Sequence, residues 1–395
     1  MGTTTQWRTI QAVDLLQLRG NHQYGAPGSY GRANLPPWPS VVSGALRSRM
    51  LADQGVALEA FGRADTAPGG ELTAVLGTPS EPGTFRLAWL SLARFTADQP
   101  AEVLLTCPAD LAAGEGGGVV YAGPLDLPAG AGSSGGLSGV ALARVQVDKK
   151  KAGRLLSGPG LVAYVNGQLP DEKQLVATDE LYGLDERPGV GLDPAARSAA
   201  KGQLFTTVGV AFKPGCGLLA GVVGCNDSLP AEGLLRLGGD GRAASLGTAQ
   251  VSFPTADLDQ VGKDRRFRLL LTTPGCFRGG WLPLGVTGKP ADGYRLQIAG
   301  LSARLRSFAA AGDPQVISGW NLATGKPKPA ESFVPAGSVY WFDQVEGDAS
   351  SLARLADEGL WAWAEDGAGG QRRAEGFNNA LVAAWPTANC DSNDD

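Results

Sequence analysis

The chain has 395 residues, of which 43% are hydrophobic and 18% charged, with 58 glycines and 26 prolines. Glycine and proline together stay below the roughly 25–30% that marks low-complexity chains, so the composition excludes collagen and global disorder. The length exceeds the roughly 250–300 residues at which one hydrophobic core stops growing, which predicts two domains. A formal net charge of −5 argues against non-specific nucleic-acid binding but is compatible with a local basic groove.

The N-terminus and the cysteines bear on the cellular compartment. Charged residues at Arg8, Asp14 and Arg19 interrupt the apolar stretch that a signal peptide needs, and no apolar run approaches the roughly 18 residues of a membrane span. The five cysteines show no Cys-x-x-Cys spacing, and Cys216 and Cys225 are expected as thiols packed in a strand core. We therefore expect a cytoplasmic chain with no membrane partner.

The first elements in chain order are a strand and a helix. Residues 8–18 are rich in Ile, Val and Leu and predict a strand that ends at the turn Arg19-Gly20. Ser40 is the predicted N-cap of a helix that extends to Leu51, with Gly55 as its stop.

Two strands are predicted next, over residues 85–95 and 101–106. The composition then shifts to Gly, Ala and Ser over residues 112–139, which predicts a mobile loop or an insertion.

The second half repeats this mixture of strands and short helices. Asp193-Pro194 predicts the start of a short helix that ends near Gly202, because Asp caps free amides and proline suits the first helical position. The remaining predictions are strands over 204–212, 218–223, 265–273 and 338–345, and a helix over 350–358 followed by Gly359. Strands interleaved with few, short helices indicate an α+β protein.

The single histidine limits the chemistry that the chain can perform. His22 is the only imidazole, so a Ser-His-Asp or Cys-His nucleophilic site could exist only around it, and a poly-histidine metal site cannot exist. We find no EF-hand, zinc-protease or Walker motif and expect no metal and no cofactor. His22 follows a turn, where a loop histidine is a more ordinary interpretation than a general base.

Several basic residues stand beside glycines or aromatic rings. Glycine allows close approach of the backbone to a phosphate, arginine binds phosphate through its planar fork, and an exposed ring can stack on an unpaired base. The segments with this pattern are Arg19-Gly20, Gly241-Arg242, Arg278-Gly279-Gly280-Trp281, and Arg372-Arg373 followed by Gly376-Phe377.

A set of ordered blocks spanning nearly the whole chain resembles the third-subunit family of the type III-B CRISPR Cmr effector complex, within the RAMP superfamily. The blocks are Asp14-Leu15-Leu16 with Arg19-Gly20, Pro37 through Arg47, Gly191-Leu192-Asp193 with Arg197, Gly202 and Leu204, Leu237 through Arg242, Leu271-Thr272-Thr273-Pro274 with Gly280-Trp281, Ser318-Gly319-Trp320 with Gly325 through Pro329, and Val334 through Tyr340.

The resemblance implies two ferredoxin-like, RRM-related domains with inserted helices and hairpins, which we place at residues 1–175 and 176–395. It also implies a non-catalytic subunit that binds the 5′ tag of the CRISPR RNA and docks against the large palm-domain subunit and the backbone RAMP subunits. Its contact with target RNA would be indirect, because target cleavage is assigned to the backbone subunit.

RAMP proteins typically end with a glycine-rich loop that faces RNA, and residues 367–377 are the candidate. Asn378 stands where a second glycine is usual, although Asn tolerates a positive φ better than most residues. The expected RNA-binding residues are Arg19, Gly20, Asn21, His22, Ser40, Ser43, Arg47, Arg197, Arg242, Arg278, Trp281, Gly369, Gly370, Arg372, Arg373, Gly376 and Phe377.

Two alternatives stay open. The chain could be a RAMP endoribonuclease that processes repeat RNA with His22, which a His22→Ala variant would test. It could instead be a protein scaffold that does not touch RNA, in which case charge changes in the glycine-rich loop would leave RNA binding unaltered.

Overall fold

The structure is a computed structural model. It describes residues 4–20, 29–31, 33–63, 68–128, 133, 135–149, 153–193, 195–196, 198–364 and 369–386.

The described residues form strands and short helices in the proportions of an α+β fold. The strands are β1 (Gln6–Ala12), β2 (Ser29–Tyr30), β3 (Arg86–Arg94), β4 (Glu102–Thr106), β5 (Leu111–Ala113), β6 (Val119–Asp126), β7 (Gly139–Ala143), β8 (Leu155–Ser157), β9 (Leu175–Val176), β10 (Tyr182–Asp193), β11 (Ser198–Phe212), β12 (Cys216–Val223), β13 (Gly233–Arg236), β14 (Ala243–Thr248), β15 (Phe267–Leu271), β16 (Val286–Lys289), β17 (Gly293–Ile298), β18 (Leu301–Ala309), β19 (Gln315–Ile317), β20 (Trp320–Asn321), β21 (Lys326–Pro327), β22 (Glu331–Phe333), β23 (Val339–Gly347) and β24 (Ala380–Ala384). The α-helices are α1 (Pro39–Asp53), α2 (Leu58–Gly62), α3 (Gly70–Leu76), α4 (Gly158–Val165), α5 (Leu258–Asp264), α6 (Arg354–Glu358) and α7 (Gly370–Glu375).

The first sheet has the strand order β13-β14-β1-β12-β3-β4-β8-β9. Its four strands β14, β1, β12 and β3 are antiparallel neighbours and correspond to the fourth, first, third and second strands of a βαββαβ unit. Helix α1 forms the first crossover, and the second crossover contains the short 3-10 helix Asn226–Ser228. This is the ferredoxin-like arrangement, extended at both edges.

The second sheet has the order β16-β17-β18-β23-β15-β24 and contains the same unit. Strands β15, β18, β23 and β24 take the first to fourth positions, again with antiparallel neighbours. The hairpin β16–β17 lies in the first crossover, and α6 and α7 lie in the second. Two ferredoxin-like units with inserted hairpins are therefore present, as the resemblance implied.

The division between the two sheets differs from the predicted boundary at residue 175. Strand β1 pairs with β12 and with β14, so the first sheet requires the chain as far as Thr248. The second sheet begins at Phe267. The change of sheet thus falls between residues 248 and 267, because the third and fourth strands of the first unit follow a long insertion.

A shared core joins the two sheets. Trp89 and Leu219 of the first sheet pack in one buried cluster with Leu270, Val339 and Trp341 of the second. Separate clusters lie under α1 in the first unit and beside Phe267 and Phe342 in the second. The two units therefore pack through apolar side chains.

Helix α1 begins two residues earlier than predicted. Trp38 is the N-cap and Pro39 is the first helical residue, so Ser40 lies inside the first turn and is not the cap. At the other end Gly55 has φ 68° and donates to Ala52 O at 2.9 Å, which confirms it as the stop.

The predicted strand over residues 8–18 is shorter in the structure. Strand β1 ends at Ala12, and Val13 is largely exposed. Leu16 then bonds to Val210 in both directions, at 2.9 and 2.8 Å. After one more bond to the first sheet, from Val13 N to Ala243 O at 3.1 Å, the chain leaves that sheet because its next strand partner is β11.

The predicted helix that starts at Asp193 is wrong. Strands β10 and β11 form a long antiparallel hairpin whose last pair is Asp193 and Ser198. Asp193 Oδ1 accepts from the amides of Ala195 and Ala196, so this side chain caps a hairpin turn rather than a helix.

The Gly/Ala/Ser-rich segment 112–139 is not a simple loop. Strands β5, β6 and β7 form a three-stranded antiparallel sheet that uses much of it. The strands 85–95, 101–106, 204–212 and 218–223 are confirmed to within a few residues, and 350–358 is a 3-10 helix (Ala349–Ala353) continued by α6.

Candidate nucleic-acid interface

The N-terminus of α1 is the centre of the candidate site. No side chain hydrogen-bonds to the cap at Trp38, and the first turn contains no acidic residue. The first amides of a helix lack intrahelical partners and carry the positive end of the helix dipole. This fifteen-residue helix begins at Pro39, which has no N–H, and Val41 donates its amide to Trp38 O at 2.9 Å, so it is the helix dipole that makes this end suit an anion such as phosphate.

Two turns stand beside that helix end. A Cβ on Gly20 would lie 3.9 Å from the Trp38 ring, so the Arg19-Gly20 turn contacts the cap residue. The amide of Gly239 donates to Gln17 O at 2.9 Å, and Arg19 pairs with Asp240 at 3.4 Å. The structure thus joins Arg19-Gly20 to the Gly238–Arg242 turn, which belong to two of the quoted blocks.

A groove of about 830 Å³ lies between α1 and these turns. Its polar lining includes Arg19, Asn34, Arg49, Arg236 and Gly239. Arg236 is exposed, whereas Arg49 pairs with Asp53 at 2.7 Å. The Trp38 indole nitrogen, also at this groove, is buried and has no hydrogen-bond partner among the described residues. We call this the first groove.

A second groove of about 590 Å³ lies beside the first along α1, and Val41 and Ser48 line both. Ser40, Arg47 and Gln371 line it together with residues of the β20–β21 hairpin. Arg47 donates to Gln371 Oε1 and to Leu76 O, each at 3.3 Å. Burial lowers the pKa of Arg47, and the charge of Glu375 opposes that shift. Arg47 therefore connects α1 to α7 and also faces the groove.

The predicted glycine-rich loop contains helix α7, and its two arginines are ion-paired. Arg372 bonds to Glu331 at 2.8 Å and to Glu375 at 3.3 Å, and only 12% of its side chain is exposed. Its guanidinium also lies over the rings of Phe333 and Phe377. Arg373 pairs with Glu358 at 2.9 Å. These contacts hold α7 in place. They also pair the positive charges of Arg372 and Arg373, which the sequence analysis assigned to RNA binding, with carboxylates of the same chain.

Three further residues predicted to bind RNA are buried in the structure. Phe377 is fully buried, and Ser43 is fully buried with its hydroxyl bonded to Ala374 O at 3.4 Å. Gly376 has φ 92°, and a Cβ there would come within 2.5 Å of Leu87 O. These positions bring α7 against α1 and β3.

The other loop glycines differ in their surroundings. A Cβ on Gly369 would meet the Trp361 ring at 2.5 Å, whereas nothing lies within 4 Å of one on Gly370. Asn378 has φ 65°, and its side-chain amide bonds to both the amide and the carbonyl of Cys276. The expectation that Asn tolerates a positive φ at this position is confirmed.

The other predicted RNA-binding residues that the structure describes lie outside the two grooves. Arg278 is exposed on the loop after Phe277. Trp281 packs against Tyr294 and Phe308, which places its ring in the second core. Arg242 pairs with Asp14 at 3.6 Å. Asn21, His22 and Arg197 lie outside the described residues.

The structure also adds residues that the sequence reasoning missed. Asn34, Trp38, Arg49 and Arg236 line the first groove. Trp38 belongs to the quoted block Pro37-Trp38-Pro39, so the sequence did mark it. Arg236, its neighbour across the groove, is about two hundred residues away in the chain. Only the tertiary fold brings Arg236 to α1.

The described residues contain neither a candidate metal site nor a candidate membrane-spanning helix. Within the described ranges, no group of three or more His, Cys, Asp and Glu residues is arranged to hold a metal ion. Nor is any helix in that part of the chain long and apolar enough to cross a membrane.

The sequence model of one protein family, described as CRISPR-associated protein (Cas_Cmr3), matches residues 8–385. The chain belongs to the Cas_Cmr3 family. The match covers both ferredoxin-like units and all the described residues of the two grooves. No curated protein sequence matches the chain.

Solved structures with similarity to this member of the Cas_Cmr3 family include three from CRISPR complexes. A chain of "Cryo-EM structure of the Type III-B Cmr-beta bound to cognate target RNA" is 14% identical, with a TM-score of 0.43 and coverage of 85% of this chain and 86% of that one. A chain of the same complex with target RNA and AMPPnP, state 1, is 14% identical, with a TM-score of 0.41 and the same coverage. A chain of "Crystal structure of Csm3-Csm4 subcomplex in the type III-A CRISPR-Cas interference complex" is 10% identical, with a TM-score of 0.31 and coverage of 87% and 94%.

Proposed function

We propose that this chain is a non-catalytic subunit of a cytoplasmic type III-B Cmr complex that binds the 5′ tag of the CRISPR RNA. The observation that carries the proposal is the uncapped N-terminus of α1 between two grooves, in a chain of the Cas_Cmr3 family. A helix N-terminus and nearby arginines bind phosphate, while open grooves leave room for unpaired nucleotides.

In this proposal the first groove follows the RNA backbone. Arg19 and Arg236 would contact phosphates, and the polar side chain of Asn34 also lines the groove. Gly20, Ser40, Arg47 and Arg242 remain candidate contacts around the same helix end, and Arg278 remains a candidate on the loop after Phe277. Arg372 and Arg373 would act as positioning residues, because their ion pairs hold α7 against α1.

We further propose that the chain docks the large palm-domain subunit and the backbone RAMP subunits, and meets target RNA only indirectly. The β10–β11 hairpin supports assembly, because Leu184, Val190, Leu192 and Leu204 are large apolar residues that are 43–67% exposed. Apolar side chains gathered on one exposed element are typical of an interaction surface. Leu184→Ser with Leu192→Ser is expected to reduce co-purification with the neighbouring subunits.

The experiment that tests tag binding compares two labelled RNAs. CRISPR RNA with an intact or a scrambled 5′ tag is titrated with this chain co-purified with its palm-domain partner. We expect tighter binding of the intact tag, and loss of that preference in Arg19→Ala with Arg236→Ala. Arg354→Ala, an exposed arginine on α6, is the control. Equal affinity for both RNAs would leave only a scaffold or a non-specific phosphate clamp.

A further inference from the structure

Trp320 is the one exposed tryptophan among the nine in the chain, all of which the structure describes. It is 59% exposed, whereas the other eight are buried or half-buried. Tryptophan is buried on average because its large ring is costly to leave in water. The exposure of the Trp320 ring to solvent therefore indicates a binding role.

The ring stands on a small hairpin that is firmly attached to the fold. Trp320 and Asn321 pair with Pro327 and Lys326, and Asn321 Oδ1 accepts from the amides of Ala323 and Thr324. On one side of the hairpin Leu322 packs against the first core beside Gly62. Exposure of the ring is thus a property of an ordered hairpin.

The base of the hairpin is held by the α7 network. Arg372 donates to Ser318 O at 3.0 Å, and Lys328 donates its amide to Gly319 O at 2.8 Å. Trp320 lines the second groove together with Ser40, Arg47 and Gln371. The ion-paired arginine of α7 therefore helps to set the position of the ring at the edge of the groove.

We propose that Trp320 is a stacking platform for an unpaired RNA base, with the second groove holding the adjoining nucleotide. This inference rests on the proposed function. Bases stack on exposed aromatic rings irrespective of sequence, and a neighbouring cation can contact the phosphate. Arg47 lines the same groove and provides that charge. The polar side chains Ser40, Arg47 and Gln371 beside the ring favour RNA over an apolar protein surface.

The test uses the chain co-purified with its palm-domain partner and CRISPR RNA with an intact tag. Trp320→Ala is expected to weaken RNA binding about fivefold or more, whereas Trp320→Phe retains most of the affinity. The slope of log affinity against log salt is expected to stay unchanged in both variants, because stacking releases no counterions. Leu142→Ala removes an equally exposed apolar side chain from β7 and is expected to have no effect.

Two outcomes would overturn the inference. One is unchanged RNA affinity in Trp320→Ala. The other is loss of the palm-domain partner from Trp320→Ala with unchanged RNA affinity of the isolated chain, which would make the ring a protein contact. Failure of the proposed function is a separate result, because it is measured in the wild-type chain as equal binding of intact and scrambled tags. Trp320→Leu removes the aromatic face and keeps an apolar side chain, so it decides the case if the alanine variant folds poorly: unchanged RNA affinity in Trp320→Leu would also overturn the inference.

Discussion

Arg268 of β15 and Asp110, in the turn before β5, form an ion pair of 2.9 Å between the two units, and both side chains are fully buried. Tyr164 donates to both oxygens of Asp110 at 3.0 and 3.1 Å, and Arg268 donates to Tyr164 O and Ala384 O. Burial alone would lower the pKa of Arg268, but the fields of Tyr164 and Asp110 outweigh it and raise that pKa. Two of the guanidinium nitrogens are thus directed at the first unit, and Nε is directed at the neighbouring strand β24.

Removal of one member of this pair is expected to destabilise the whole chain. Asp110→Asn leaves Arg268 buried without its countercharge, which we expect to lower the free energy of unfolding by about 3–5 kcal/mol in urea denaturation. Arg354→Gln breaks the exposed pair with Glu358 and is expected to cost no more than about 1 kcal/mol. A loss below about 1 kcal/mol for Asp110→Asn would show that the pair does not hold the sheets together.

Arg372→Ala is expected to lower stability more than it lowers intrinsic RNA affinity. The substitution leaves Glu375, which is mostly buried, without one of its cations and removes the contact with Ser318 O. We expect a loss of about 1–3 kcal/mol in thermal or urea unfolding. Arg373→Ala, whose partner Glu358 is more exposed, is the matched comparison with a smaller loss. A stable Arg372→Ala protein with abolished RNA binding would return the direct RNA contact to this residue.

Arg236→Gln is expected to reduce the salt dependence of RNA binding. If Arg236 neutralises one phosphate, the slope of log affinity against log salt becomes shallower by about 0.7, the value for single-stranded nucleic acid. Fluorescence anisotropy at several salt concentrations measures this slope, with Arg354→Gln as the control. An unchanged slope would exclude a phosphate contact at Arg236.

Stability is expected to fall at alkaline pH through the buried thiols. Burial raises the pKa of Cys107 to about 12 and that of Cys225 to about 11, from an ordinary value of 9.0. Below pH 9 both states keep the proton, but above pH 9 the unfolded chain releases it first. Cys107 therefore lowers the free energy of unfolding by up to about 1.4 kcal/mol per pH unit between pH 9 and 12.

Urea unfolding of wild type and Cys107→Ala at pH 8 and pH 10 isolates this contribution. The variant is expected to lose less stability between the two pH values than the wild type. Identical losses would show that Cys107 does not titrate differently in the folded and unfolded chains.

The elements that sequence predicts well are those fixed by local signals. Helix α1 has proline at its first position and Gly55 after its end, and strand β3 is a continuous apolar run. The fold class and the two ferredoxin-like units followed from the ordered blocks. The domain boundary did not, because the pairing of β1 with β12 joins residues about two hundred positions apart and no local pattern records it.

The candidate site was predicted in part for the same reason. Arg19-Gly20 and the Gly238–Arg242 turn do meet, beside the start of α1. Burial, however, depends on tertiary packing, so sequence could not show that Phe377 and Ser43 are enclosed or that Arg372 has acidic partners. Asp193 shows a related ambiguity, since the same side chain can cap a helix or a hairpin turn.

Site-directed crosslinking tests the central claim most directly. CRISPR RNA with 4-thiouridine placed in the 5′ tag is irradiated in the assembled complex, and the crosslinked peptides of this chain are mapped by mass spectrometry. The account predicts crosslinks within residues 17–20, 34–58 and 234–242, around the start of α1 and the first groove. Crosslinks confined to residues 369–377, or their absence from this chain in a complex whose other subunits are crosslinked, would contradict it.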